Sequence, residues 1–170
     1  MDRNNILNIR RDFSKLSVLV VEDNQQMRIL LTDMLRAFGF NRVLHTESGE
    51  DGTKYAATNH FDVVIANCRT IYRDQFSLAK FVRCAVTSIN RQALIVMTTA
   101  HCTRELTLAA RDHGINDIIM KPFSADILFS RLVWLIDHPR FFVRADSYVG
   151  PSRRRRQQSV IVERRKKNND

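Results

Sequence analysis

Five short apolar runs punctuate the chain: Leu16–Val21, Val43–Leu44, Val63–Ala66, Leu94–Met97 and Ile118–Met120. The longer ones are continuously apolar instead of alternating, which predicts strands covered on both faces. Between the first two runs, Met27, Leu30, Leu31, Met34, Leu35 and Phe38 recur at spacings of three and four. That spacing predicts an amphipathic helix with a left-handed stop at Gly39. Further helices fit Glu50–Thr58, Phe76–Ser88 and Arg104–His113, the last closed by Gly114. A final helix takes Ser124 as its N-cap, buries Ile127, Leu128, Leu132, Leu135 and Ile136, and stops at Pro139.

Strand followed by helix, five times over, predicts an α/β domain with a five-stranded parallel sheet and helices on both faces, because right-handed crossovers leave few other topologies. This domain spans residues 15–138. Residues 1–14 form an N-terminal extension whose Ile6, Leu7, Ile9 and Phe13 suggest a short extra helix, and residues 139–170 form a flexible basic tail. Chemistry in such sheets gathers at the carboxyl ends of the strands, near the switch in strand order. The residues to weigh are therefore those just after each run.

Glu22, Asp23 and Asn24 follow the first run, Asn67 the third, Thr99 and Ala100 the fourth, and Lys121, Pro122 and Phe123 the fifth. Through VVEDN, FDVVIAN, VMTTA and DIIMKPF, residues 15–138 resemble the receiver domain of response regulators, of the single-domain CheY-like kind. The resemblance implies a receiver (flavodoxin-like) fold and a set of roles. Glu22 and Asp23 would hold Mg²⁺, a hard ion that prefers oxygen ligands. Thr99 would supply a hydroxyl and Lys121 a cation to a phosphoryl group carried by a carboxylate nucleophile. The acceptor position departs from the pattern, since the family's aspartate is Asn67 here. A resonance-bound amide is not a nucleophile at neutral pH, and losing one carboxylate weakens any metal site. The family's aromatic switch position is Ile118, and the loop after the acceptor strand reads Arg69, Thr70, Ile71 without the usual proline. The expectation is a degenerate, non-enzymatic receiver in which Glu22 and Asp23 are either a weak metal remnant or an electrostatic staple to Lys121. Asp62, five residues before Asn67, lies too far along the strand to replace the acceptor. His101 reads as a loop residue, and His45, His60, His113 and His138 lack metal-ligand spacing.

Composition then narrows the setting. An apolar fraction of 44% suffices for a core. No run of about 18 apolar residues suggests a membrane span, and the N-terminus lacks the apolar stretch of a secretory signal. Cys68, Cys84 and Cys102, odd in number and without CxxC spacing, fit reduced thiols in a cytoplasmic protein. The net charge of +9 is unevenly placed. Residues 1–138 carry 17 Lys+Arg against 15 Asp+Glu, whereas residues 139–170 carry 10 against 3. Such a block cannot bury itself and suits an interaction arm for an anion.

Within that arm, Phe141, Phe142, Tyr148 and Val149 interleave with arginines, a mixture suited to planar bases and phosphates. The stretch from Phe142 to Arg156 resembles the arginine-rich extension of bacterial CheY-like proteins that bind cyclic di-GMP and then engage the flagellar motor. Carried over by position, Arg144 and Asp146 would read guanine edges, Tyr148 would stack, and Arg153, Arg154, Arg155 and Arg156 would meet phosphates, with Arg140 beside them. Ser152 stands where that extension has an acidic residue, which puts part of the guanine reading in question. A protein partner, the motor switch for one, would dock on the face made by the fourth helix, the fifth strand and the fifth helix. The alternative is an inert receiver scaffold with a basic arm for nucleic acid or acidic protein surfaces, binding that falls steeply with salt.

Overall fold

The computed structural model describes residues 12–73, 76–145 and 148–153. Five parallel strands, β1 (Ser17–Val21), β2 (Arg42–Thr46), β3 (Val63–Asn67), β4 (Leu94–Thr99) and β5 (Asp117–Met120), form one sheet in the order β2-β1-β3-β4-β5. The predicted doubly covered parallel sheet is therefore present. Every residue of β1 and β3 is buried, as continuous apolar runs require when helices pack on both faces.

Helices α1 (Gln25–Ala37), α2 (Gly49–Thr58), α3 (Cys68–Arg73), α4 (Ser77–Cys84), α5 (Arg104–Asp112) and α6 (Ala125–Asp137) supply the cover. Alternation along each strand sends successive side chains into two cores. Leu19 and Val21 of β1 join Ala56, Ile71, Leu78, Val82 and Ala110 on one side. Val18 and Val20 join Leu31, Leu35, Phe40, Leu128 and Leu132 on the other. Phe13, from the expected N-terminal extension, belongs to this second core, its ring stacked 4.8 Å from Phe40. The expected helix from Ile6, Leu7 and Ile9 lies outside the described residues.

Local chemistry fixes the ends. Asn24, Ser48, Thr103 and Ser124 each accept a backbone N–H of the following helix, at α1, α2, α5 and α6. Gly39 (φ 98°) and Gly114 (φ 74°) take the left-handed conformation that ends α1 and α5.

Four features differ from the sequence expectation. A short helix, α3, follows β3 directly, so the expected fourth and fifth helices are α5 and α6 here. The helix expected over Phe76–Ser88 ends at Cys84. Ile127, expected in the buried stripe of the final helix, is 47% exposed, and Leu30 of the amphipathic α1 spacing is 48% exposed. The fourth difference is in the tail, which does not begin as a loose chain. After Pro139, β6 (Phe142–Ala145) pairs antiparallel with β7 (Tyr148–Pro151), and β7 packs against α4. Gly150 lies so close to Gly114 that a Cβ on it would sit 3.1 Å from the Gly114 Cα.

Candidate functional site at the carboxyl ends of the strands

The strand order turns around β1: the chain steps outward to β2 and then back across to β3. Such a switch point leaves a crevice at the carboxyl ends of the two central strands. Here it is a cavity of about 870 Å³, lined among others by Glu22, Asp23, Asn67, Thr99, His101 and Lys121. The structure thus brings together all five site residues expected in the receiver body.

Their geometry is closed on itself. The Asn67 amide nitrogen donates to Glu22 Oε1 at 2.9 Å and to Asp23 Oδ1 at 2.6 Å. An amide nitrogen has two hydrogens, and both are spent. The other oxygen of Glu22 receives the Lys121 ammonium at 2.6 Å. Glu22 is buried (1% exposed), so its charge is tolerable only because ammonium and amide meet it there. Arg69 stands 3.7 Å from the outer oxygen of Asp23. At Asp23 partial burial pushes the carboxyl up, but the hydrogen bond from Asn67 and the Arg69 charge help to outweigh it and leave the group below the usual aspartate value.

Thr99 is turned into its own loop, donating to the His101 carbonyl at 2.7 Å and accepting the His101 N–H at 3.2 Å. Burial pushes the neighbouring Cys68 thiol up, offset in part by its hydrogen bond with Thr99. His101 is exposed, as a loop residue should be. Asp62 lies at the opposite end of β3, accepting from the N–H and hydroxyl of Ser17 at 2.8 and 2.9 Å. The Lys121–Pro122 peptide is cis.

An Mg²⁺ ion could enter this arrangement only in competition with the groups already held there. The oxygens of Glu22 and Asp23 that face one another across the crevice hold the amide hydrogens, and the remaining Glu22 oxygen holds an ammonium. Among the described residues no group of three His, Cys, Asp or Glu could hold a metal. The staple reading of the two acids is the one this geometry favours.

The tail residues fall elsewhere. Arg140 is half-buried, and Arg144 and Arg153 are exposed. The half-buried Tyr148 donates its hydroxyl to the Pro151 carbonyl at 2.6 Å and carries the Arg153 guanidinium over its ring at 4.0 Å. Burial raises the Tyr148 hydroxyl above the ordinary tyrosine value, against the lowering influence of Arg153, Arg83 and Arg140. Asp146, Arg154, Arg155 and Arg156 lie outside the described residues.

Sequence reasoning passed over Arg83. This side chain in the last turn of α4 is 1% exposed and makes five hydrogen bonds, to the carbonyls of Gly114 (twice), Arg91 and Ala93 and to the Asn116 side chain. None of those partners is a carboxylate. Burial pushes the guanidinium down to about 10, still charged at neutral pH. An arginine ending a helix reads in sequence as a partner of the helix dipole, so only the tertiary contacts expose this role.

Comparison with known proteins agrees with the geometry. The response regulator receiver domain matches residues 18–133. The chain is 33% identical over 118 residues to a transcriptional regulatory protein, RprY, of Bacteroides fragilis, covering 69% of this chain and about half (48%) of that protein's length. A probable chemotaxis protein CheY of Rhizobium etli is 30% identical over 113 residues, 66% of this chain and 85% of the relative. Among solved structures, the receiver domain of a Pseudomonas aeruginosa sensor histidine kinase, with magnesium coordinated in its active-site cleft, is 26% identical. It superposes with a TM-score of 0.63 over 72% of this chain and 98% of that one.

Proposed function

The chain belongs to the response regulator receiver family, and from that premise we propose a CheY-like signalling adaptor that works without aspartyl phosphorylation: its arginine-rich tail binds cyclic di-GMP, and its receiver body then engages a protein partner such as the flagellar motor switch. One observation carries the first half of this reading. Asn67 occupies the acceptor position and spends both amide hydrogens on Glu22 and Asp23. A nucleophile there must offer a lone pair to phosphorus. Asn67 presents a neutral amide whose nitrogen points its hydrogens at the acids, and Thr99 is engaged with its own loop. Glu22 and Asp23 could collect Mg²⁺ only weakly, since an entering ion must displace Asn67 and compete with Lys121 for the same oxygens.

The second half is supported by where the tail begins. Hairpin β6–β7 holds Arg144, Tyr148 and Arg153 on an ordered platform against the body, which lowers the ordering cost of binding. Ligand-driven ordering of the arginines beyond it would then replace phosphorylation as the trigger. The partner face is the one made by α5, β5 and α6, and the working compartment is the cytoplasm.

The test is calorimetry of the full chain with cyclic di-GMP, GTP and a short RNA at two salt concentrations. The expected result is at least about tenfold tighter binding of cyclic di-GMP, about 1.4 kcal/mol, kept at the higher salt. Equal, weak and steeply salt-dependent binding of all three would assign the tail to nucleic acid or acidic surfaces instead. Intact mass after acetyl phosphate and Mg²⁺ should show no added phosphoryl group.

A further inference from the structure

On the α5–β5–α6 side of the molecule, away from the strand-end crevice, lies a second cavity of about 420 Å³. Its size is within the roughly 300–1,000 Å³ typical of small-ligand sites. Four arginines line it, from four separate places in the chain: Arg111 at the end of α5, Arg131 in α6, Arg140 just after α6, and Arg153 just after β7. Asp117 lines it too, and so does Ile118. Two of the arginines belong to the receiver body and two to the segment beyond it. The fold-back of the hairpin joins them, placing Arg153 3.5 Å from Asp112 of α5.

Acidic neighbours hold these guanidinium groups without using them up. Arg131 meets Asp117 at 3.1 Å, and Arg111 meets Asp112 at 3.1 Å. Arg153 is steadied by Asp112 and by the Tyr148 ring. A guanidinium has five N–H donors, and an ion pair of this kind takes one or two. Counting Asp112 at the rim with Asp117, the formal balance is four positive charges against two negative. Arg111 and Arg131 remain about half exposed, at 48% and 53%. Between the charged groups the wall includes the apolar Leu108, Ala110, Ile115 and Ile118 beside the polar Thr107 and Asn116.

We propose that this cavity is a nucleotide site shared between the receiver body and its C-terminal segment, with phosphate oxygens on Arg111, Arg131, Arg140 and Arg153 and the base against Ile118. Planar, forked guanidinium groups fit phosphate oxygens bidentately. An apolar wall with a few converging polar groups is the usual composition of a small-molecule site. The inference rests on the cyclic di-GMP reading of the tail and adds to it the body residues Arg111 and Arg131. Ligand bound here would change the very surface on which that reading seats the protein partner.

The experiment is an NMR titration of the full chain, and of the Arg111→Gln/Arg131→Gln variant, with cyclic di-GMP and separately with GMP. Both substituted side chains are solvent-facing, so the fold should survive, as circular dichroism can check. Expected are shifts at Thr107, Ile118 and Arg131 with either nucleotide, and affinity at least about tenfold weaker in the double variant, the loss of about one charge-assisted contact. Cyclic di-GMP binding that moves only signals from residues 154–170 and is unchanged in the variant would overturn the shared site and leave the tail reading standing. Shifts at the cavity with GMP but no binding of cyclic di-GMP would support the site and remove the dinucleotide reading. Silence of the cavity signals with both nucleotides would sink the site.

Discussion

The two ends of one sheet handle buried charge in opposite ways. At the carboxyl end, Glu22 is neutralised by a partner of opposite sign, Lys121, and by the amide of Asn67. At the amino end, Arg83 has no carboxylate among its hydrogen-bond partners and is solvated by carbonyl oxygens and by Asn116. The first arrangement faces a large cavity and consists of groups that chemistry or metal could recruit. The second joins α4, the approach to β4 and the turn before β5 into one unit. The lesson is that burial alone does not mark a functional group. What separates the two is the space beside them: Glu22 borders a cavity of about 870 Å³, whereas Arg83 borders smaller ones of about 290 and 100 Å³.

The comparison can be broken most decisively at the amino end. Arg83→Ala removes a buried side chain, takes the guanidinium from three carbonyls at once and leaves the Asn116 amide oxygen with the Ile95 N–H alone. Each unsatisfied buried group costs about 1–3 kcal/mol and the cavity adds to it, so a loss of more than about 3 kcal/mol is expected in urea denaturation. A loss below about 1 kcal/mol would mean that water entering from the neighbouring cavities replaces the guanidinium.

A smaller effect should appear at the carboxyl end with Asn67→Asp. This exchanges a donor for a third carboxylate beside Glu22 and Asp23. Two unit charges 4 Å apart repel by about 1–4 kcal/mol between water and surface-like dielectric. The metal-free variant should lose about 2 kcal/mol at pH 7 and regain it on adding Mg²⁺, while the unsubstituted chain shows little response to the ion. An equal Mg²⁺ response in both chains would show that the amide does not close the site.

The smallest effect concerns Asp23. Its folded carboxyl titrates below the ordinary value of 3.8, so the folded state binds this proton less readily than the unfolded chain. The associated stability is present above the unfolded value and disappears as pH falls through the lower, folded one. Because the side chain is 36% exposed, solvent screens most of that contribution. In Asn67→Ala, with one lowering hydrogen bond gone, the Asp23 carboxyl followed by NMR should titrate at higher pH. No movement would show that the Asn67 hydrogen bond is not what depresses it.

These contrasts also mark how far the sequence could be read. The five strands, and Glu22, Asp23, Asn67, Thr99 and Lys121 behind them, were legible because a buried parallel strand needs an unbroken apolar run and the switch point singles out the residues at its carboxyl end. Helix α3 was not, since Cys68–Arg73 is too short to show a period. The hairpin was missed because Gly150 and Pro151 look like breakers, yet proline is tolerated in a strand of a two-stranded ribbon whose outer edge needs no donor. Arg83 was invisible for a different reason: its partners at Gly114 and Asn116 are 31 and 33 residues away in sequence. The convergence of Arg111, Arg131, Arg140 and Arg153 likewise depends on how the chain doubles back.

The near-contact of Gly150 with Gly114 has a consequence of its own. A seam made of bare backbone offers nothing to protonate and nothing for ions to shield. Raising ionic strength can loosen Arg153 from Asp112, yet the ribbon should keep its seat. A single methyl at Gly150, by contrast, would press on the Tyr148 hydroxyl at 2.7 Å and on the Gly114 backbone at 3.1 Å without altering any charge. The anchoring of this appendage and its attraction for anions are therefore separable properties, adjustable one at a time.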